Sequence, residues 1–370
     1  MRFKKTEKNT SNKTNKSTVA TSGRSVIGVD ITPHHIRMVQ LSGRQLSQVQ
    51  LDKYAIVPLP QNVISGHEIN NYDELVSLLQ QCYGKMKTSC KQANVALPAS
   101  LVTIEEGLNY SSDEGELSLQ EFVESSVAQV GDLDEMNYDW QELPSSGKDQ
   151  LILMVATKTE VVDRYVDLLD DVGISASNVD VDLFAVANAF AYADVNEGGE
   201  FAHERIAVFD VGDVALKALI IEDGKILYKQ ESNFGLEQLI QLIQRNYQVS
   251  EGEAIAMING DAPRPADYKD MISDSFNMQI AQEVQRTMQF FYATQNMDNN
   301  SEIKHIFISG SACVAGSNVA DMIYSQTNIA TQQLNPVTLA TNKTKVDDVQ
   351  LKKDASSLTI AFGLALRGLV

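Results

Sequence analysis

The chain has few of the residues that staple small folds. Its three cysteines, Cys82, Cys90 and Cys313, form no CxxC pair, and its five histidines complete no zinc spacing. A disulfide framework and a zinc module are thereby excluded, and a reducing compartment fits. No apolar run approaches the roughly 18–20 residues of a membrane-spanning helix, and the N-terminus lacks the apolar core of a signal peptide. There is no GxxxxGK[ST] phosphate loop, and no Ser–His–Asp or Cys–His arrangement stands out. Positive charge is also short: 30 Lys and Arg against 49 Asp and Glu give a net charge of −19. That excludes a general nucleic-acid binder, whose affinity comes from neutralising phosphates. The expected place is the cytoplasm, with any membrane contact made through a partner or through the basic arm described next.

The little positive charge there is clusters at one end. Residues 1–24 carry Arg2, Lys4, Lys5, Lys8, Lys13, Lys16 and Arg24 against Glu7, a net +6, which leaves about −25 for the rest. This arm is rich in Lys, Thr, Asn and Ser and is read as disordered. Its charge suits an anionic membrane surface. A plain solvated tail is favoured, because no amphipathic helix accompanies the charge.

With 370 residues, 43% of them apolar, the remainder is long enough for two or three domains with real cores. It is organised around Val26–Leu41, VIGVDITPHHIRMVQL, read as strand, polar turn, strand. Asp30 ends the first strand and Thr32 follows it. The pattern recurs at Arg205–Ile221, where Asp210-Val211-Gly212 forms the turn. Asp30 precedes a turn glycine, Gly43, by 13 residues, and Asp210 precedes Gly224 by 14. A third strand is read at Leu46–Tyr54, after a hairpin turn at Ser42-Gly43-Arg44, and its counterpart at Lys225–Lys229. Such a repeat implies two similar domains with their Asp turns flanking one cleft. Between the units lies an alternation of strands and helices, and residues 341–354 read as a polar loop.

These turns have the ingredients of an anion and metal site. Glycine-containing turns present backbone N–H groups to an anion, and an adjacent Asp can hold Mg²⁺ through water. Asp30 with Thr32, and Asp210 with Gly212, are the two candidates. Arg37 on the next strand could reach phosphate oxygens. Ser309-Gly310-Ser311 is a third turn, between a strand and a helix, suited to an adenosine or a phosphate. Asp180 and Asp182 could orient a water for hydrolysis, or simply end a strand. His34 and His35 lie beside the first turn and read as solvated.

The ordered set of segments resembles the actin-like ATPase superfamily that includes FtsA, and more closely the PilM family of type IV pilus assembly. The segments are IGVDITPHHIRMVQL, YAIVPLPQNVI, VATKTEVVDRYVDLLDDVGI, VDVDLFAVANAF, VFDVGDVALKALIIEDGKILYKQ, NFGLEQLIQLIQRNY, EVQRTMQFFYATQ, HIFISGSA and AFGLALRGL. The resemblance implies an α/β actin-like fold: two similar domains, 25–195 and 196–370, around a nucleotide cleft, with an inserted α+β subdomain at about 55–175. It implies ATP and Mg²⁺ as cofactors, the metal beside Asp30 and Asp210, and at most a weak ATPase. By position its first phosphate motif falls on Asp30, Thr32 and Arg37, its second on Asp210 and Gly212, and its adenosine motif on Gly310 and Ser311. Gly235 falls before the helix near the nucleotide sugar. The implied partner is the cytoplasmic N-terminal peptide of the inner-membrane protein PilN, with self-association into a ring and a link to the pilus platform and its motor.

Two departures from the family pattern stand out. Pro33 and His34 replace small or hydroxyl residues in the first turn. Asp213, Val214 and Ala215 replace them in the second, where Asp213 is expected to repel a phosphate. A scaffold without nucleotide is therefore one alternative. A sugar kinase or other phosphotransferase is another, although no substrate-binding set or catalytic acid is evident. An FtsA-type filament former would normally end in an amphipathic membrane helix, and AFGLALRGLV has too few cations for one.

Overall fold

The computed structural model describes residues 25–111, 117–143, 149–294, 302–313 and 318–369; the basic arm lies outside these. The first lobe opens with a meander, β1 (Ile27–Ile31), β2 (His35–Ser42) and β3 (Gln50–Pro58), paired antiparallel. A small hairpin, β4 (Ile64–Ser65) and β5 (Glu68–Ile69), leads to α1 (Tyr72–Met86). Asn71 starts that helix by accepting from the Glu74 N–H, and Leu75, Leu79, Cys82 and Met86 form its buried face. The chain returns through β6 (Gln92–Leu97), parallel to β1.

Next come β7 (Thr103–Tyr110), α2 (Leu119–Val127), β8 (Met136–Leu143) and β9 (Gln150–Lys158), whose strands form a separate sheet in the order β7-β9-β8. A small core of its own, including Val123, Val127, Ile152 and Met154, lies beneath it. The expected insert at about 55–175 therefore divides. Only residues 103–158 build an independent sheet, while α1 and β6 belong to the lobe around them. Then α3 (Thr159–Val172) ends at Gly173, which takes the left-handed conformation that stops a helix cheaply, and β10 (Ser175–Val181) pairs parallel with β6. The helix α4 (Asp182–Asn196) leaves the lobe.

The second lobe repeats the plan with β11 (Ile206–Val211), β12 (Leu216–Glu222) and β13 (Lys225–Ser232). After α5 (Leu236–Tyr247), α6 (Glu251–Asn259) and α7 (Ser275–Thr294) come β14 (His305–Ser309), α8 (Val319–Thr327) and β15 (Ala330–Gln333). The chain ends with α9 (Pro336–Leu339), β16 (Thr341–Asn342), α10 (Asp348–Asp354) and α11 (Thr359–Leu366). The large sheets read β10-β6-β1-β2-β3-β16 and β13-β12-β11-β14-β15. Each is an antiparallel meander with two parallel strands added on the side of its first strand. The first strands are buried on both faces, which is why they read as apolar runs interrupted only by Asp30 and Asp210 near their ends.

Three expectations change. Asp223 and Gly224 both have positive φ, 52° and 71°, as a tight two-residue hairpin requires. The corresponding connection after Ser42 is longer and carries a short helical turn at Leu46–Gln48, so the third strand begins at Gln50. Residues 341–354 are not a loop: Thr341 pairs with Gln50, and Asp347 caps α10 by accepting from the Val349 and Gln350 N–H groups. The end of the chain also crosses the expected boundary at 196. β16 extends the first sheet, and α11, buried at every residue, packs between β1 and α4.

Candidate functional site

The register of the two meanders places the site. Asp30 pairs across the strands with Arg37, and Asp210 with Lys217. Each lobe thus carries an acid at the end of its first strand and, seven residues on, a cation opposite it. Both pairs border a cleft of about 900 Å³, counted to its open mouth. Asp30, Thr32, Arg37, Asp182, Asp210, Gly212, Asp213, Lys217, Gly310 and Ser311 are among its lining residues. The sequence reading missed Lys217. The signal was present, because the interval from Asp210 to Lys217 equals that from Asp30 to Arg37.

The cations do not face an open space. Arg37, 3% exposed, donates from Nη1 to Asp30 at 3.2 Å and from Nη2 to Asp213 at 2.9 Å. Its Nε is the one buried guanidinium nitrogen here without a partner among the described residues. Lys217 Nζ lies 3.2 Å from Asp182, whose other oxygen accepts from the Ala99 N–H. Both long contacts join the lobes. The first-lobe cation meets the acid of the second-lobe turn, and the second-lobe cation meets the acid that opens α4.

Asp213 collects more. Ser311 Oγ and Thr32 Oγ1 donate to its two oxygens, and His35 Nδ1 lies 3.1 Å from Oδ2. Burial alone would raise this carboxyl, but Arg37, then His35, then the hydrogen bonds hold it well below the usual carboxylate range. The expected repulsive group is thus the best-compensated charge in the cleft, and His35 is its partner rather than a solvated residue. Lys217 is likewise held charged: burial would lower it, while Asp182 and Asp210 raise it.

Asp30 and Asp210 behave oppositely. Burial, only partly offset by Arg37 and Lys217 respectively, pushes each up to about 6. A carboxyl whose folded value is raised favours the folded state most when protonated, and that advantage fades as the pH rises through about 6. The thermal midpoint is therefore expected to climb as the pH falls from about 7.5 to about 5. Each of the two groups contributes roughly 1–2 kcal/mol to that climb. Calorimetry at both ends of the range checks this: Asp210→Asn should flatten the climb, and an unchanged slope would count against it.

The remaining candidates are placed as follows. Asp180 is buried against Arg367 from the C-terminal end, accepts from the Val181 N–H, and is not among the residues lining the cleft. Asp182 lines the cleft but serves Lys217 and Ala99, so neither acid is free to orient a water. Gly235 sits beneath the second turn; a Cβ there would come within 2.5 Å of the Gly212 carbonyl oxygen. The leading amides of α5, Leu236 and Glu237, donate to the carbonyls of Gly212 and Asp213. Gly310, at φ 108°, presses on the Val211 backbone.

These contacts test the expected ATP and Mg²⁺. Of the amides in the first turn, Thr32 N–H donates to His35, His35 N–H donates to the Thr32 hydroxyl, and Pro33 has none. The Gly310 and Ala312 amides are spent on Ser356 and Val211, and the N-terminus of α5 on the second turn. Arg37 and Lys217 already serve carboxylates. Asp30 and Asp210, the acids offered for Mg²⁺, are buried beside the cations Arg37 and Lys217, which compete with a metal for their charge. These residues do not fit a phosphate chain with its metal, and no chemical step is derived through one.

Two lobes built on one strand plan, with acid turns meeting across the cleft between them, define the actin-like ATPase fold. A PilM–PilN type IV pilus biogenesis complex contains a chain similar to this one, with a TM-score of 0.77 at 17% identity over 94% of this chain and 99% of that one. The ethanolamine utilization protein EutJ of Carboxydothermus hydrogenoformans is also similar, with a TM-score of 0.57 at 13% identity over 93% of this chain and 89% of that one. The model of the type IV pilus assembly protein PilM matches residues 28–369, and the chain belongs to that family.

Proposed function

We propose that this chain is a type IV pilus assembly scaffold that holds the cytoplasmic N-terminal peptide of PilN, and so ties the inner-membrane platform to the cytoplasmic motor. The observation that carries this is the near-complete coverage of both chains in the match to the PilM–PilN complex. The family model over residues 28–369 supports the same reading. Among the described residues no helix is long and apolar enough to cross a membrane. Attachment would then be peripheral and made by the partner. The phosphotransferase alternative is disfavoured, because no catalytic acid is evident for it and the two acids offered for orienting a water, Asp180 and Asp182, are paired with Arg367 and Lys217.

The test is a fluorescence anisotropy titration of the full chain with a labelled peptide copying the cytoplasmic N-terminus of the native cell's PilN. Capture on the immobilised chain from solubilised membranes of that cell runs beside it. Saturable binding and recovery of platform proteins are expected. A peptide that stays free, together with a capture lacking any pilus-platform protein, would overturn the proposal.

A further inference from the structure

A carboxylate has room for about four donors, and Asp213 has four: Arg37 Nη2, the hydroxyls of Thr32 and Ser311, and His35 Nδ1. They arrive from three separate segments. Two lie in the first lobe, the β1–β2 turn and β2, and one lies in the second, the turn after β14. Asp213 itself sits on the second-lobe turn, with its side chain fully buried. A guanidinium and two hydroxyls converging between two turns form the donor set that binds a phosphate group. Here the anion that meets them belongs to the chain.

We propose that Asp213 is a tethered anion: its carboxylate occupies the position that the paired turns present to a phosphate, and so clamps the two lobes together without a nucleotide. The clamp is two-sided, because Lys217 of the second lobe reaches Asp182 of the first lobe in the same cleft. A free phosphate would have to remove a like charge and take over all four of its donors. Binding to the native protein is therefore strongly opposed. The turn geometry keeps Asp213 in place. Gly212 N–H bonds back to the Ala215 carbonyl, and the carbonyls of Gly212 and Asp213 are pinned by the first amides of α5. The turn is held by backbone on its own lobe, and the carboxylate by side chains of both lobes. This assignment does not depend on which peptide the surface docks.

The experiment uses the full chain, by differential scanning calorimetry with small-angle scattering alongside. For the native protein, millimolar Mg-ATP or inorganic phosphate should leave the thermal midpoint unchanged. Asp213→Gly should lower the midpoint by roughly 4–7 °C and enlarge the radius of gyration. Sodium phosphate or formate should restore both, in a saturable way that sodium chloride at equal ionic strength does not match. If Asp213→Gly does not accumulate folded, Asp213→Ala, which also vacates the carboxylate's place but without glycine's added backbone freedom, takes its place in the same titration. A native midpoint raised by Mg-ATP would overturn the proposal. So would a folded Asp213 variant indifferent to both phosphate and formate.

Discussion

Arg37→Met is expected to cost about 3–5 kcal/mol of stability, the range for removing one partner of a buried ion pair. The reason is the pair of carboxylates it leaves behind. Asp213 is fully buried, and Arg37 is the main charge that keeps it ionised. Asp30 is also buried, but it lies close to protonation near neutral pH and can escape by taking up a proton. Most of the cost should therefore fall on Asp213. Two consequences separate this account from a simple loss of packing. Arg37→Met should be restored in part by a second change, Asp213→Leu, which removes the stranded charge and fills the space with an apolar group. Arg37→Lys should recover little, because an ammonium cannot reach Asp30 and Asp213 with separate nitrogens held in one plane. Urea unfolding of the single and double variants checks this. A double variant no more stable than the single would mean that the charge of Asp213 is not what Arg37 balances.

What could be read from the sequence follows the range of the interaction. The meanders are local: each acid, its turn and its cation lie within a few residues, so Val26–Leu41 and Arg205–Ile221 were recognisable as repeats of one unit. The tight turn at Asp223-Gly224 declared itself by its residue types. Asp213 was misjudged in sign for the opposite reason. Its own segment offers no cation before Lys217, and all four of its donors come from elsewhere, 98 to 181 residues away in the chain. Asp180 was offered a catalytic role because its partner, Arg367, stands 187 residues further on. The expected insert at about 55–175 is larger than the independent sheet because β6, inside that range, joins the first sheet through parallel pairings with β1 and β10, which leave no turn signature to mark them. α11 carries the small residues Ala361, Gly363 and Ala365, yet its sequence does not say that they face β1 on one side and α4 on the other.

That packing carries the other large expected effect. Gly28 on β1 and Gly363 on α11 are positions where backbone meets backbone. A Cβ on Gly28 would lie 1.9 Å from the Ala361 carbonyl oxygen and 2.6 Å from the Ala365 nitrogen, and one on Gly363 would lie 1.9 Å from the Ala185 carbonyl oxygen. The obstacles are main chain, so no side-chain rotation relieves them. Either Gly28→Ala or Gly363→Ala must push α11 away from a neighbour along its length. Each is expected to reach or exceed the upper end of the overpacking range, about 3 kcal/mol, and to yield little folded protein. Because α11 follows the second lobe but packs in the first, the damage should not stay local, and both lobes should become sensitive to limited proteolysis together. Gly84→Ala in α1 and Gly252→Ala in α6 are the controls. Nothing lies within 4 Å of a Cβ at either position. Alanine there should stabilise by about 0.4–1 kcal/mol, by reducing the freedom of the unfolded chain. If all four substitutions gave similar thermal midpoints, the close approach of α11 to β1 and α4 could not be what holds the first lobe together.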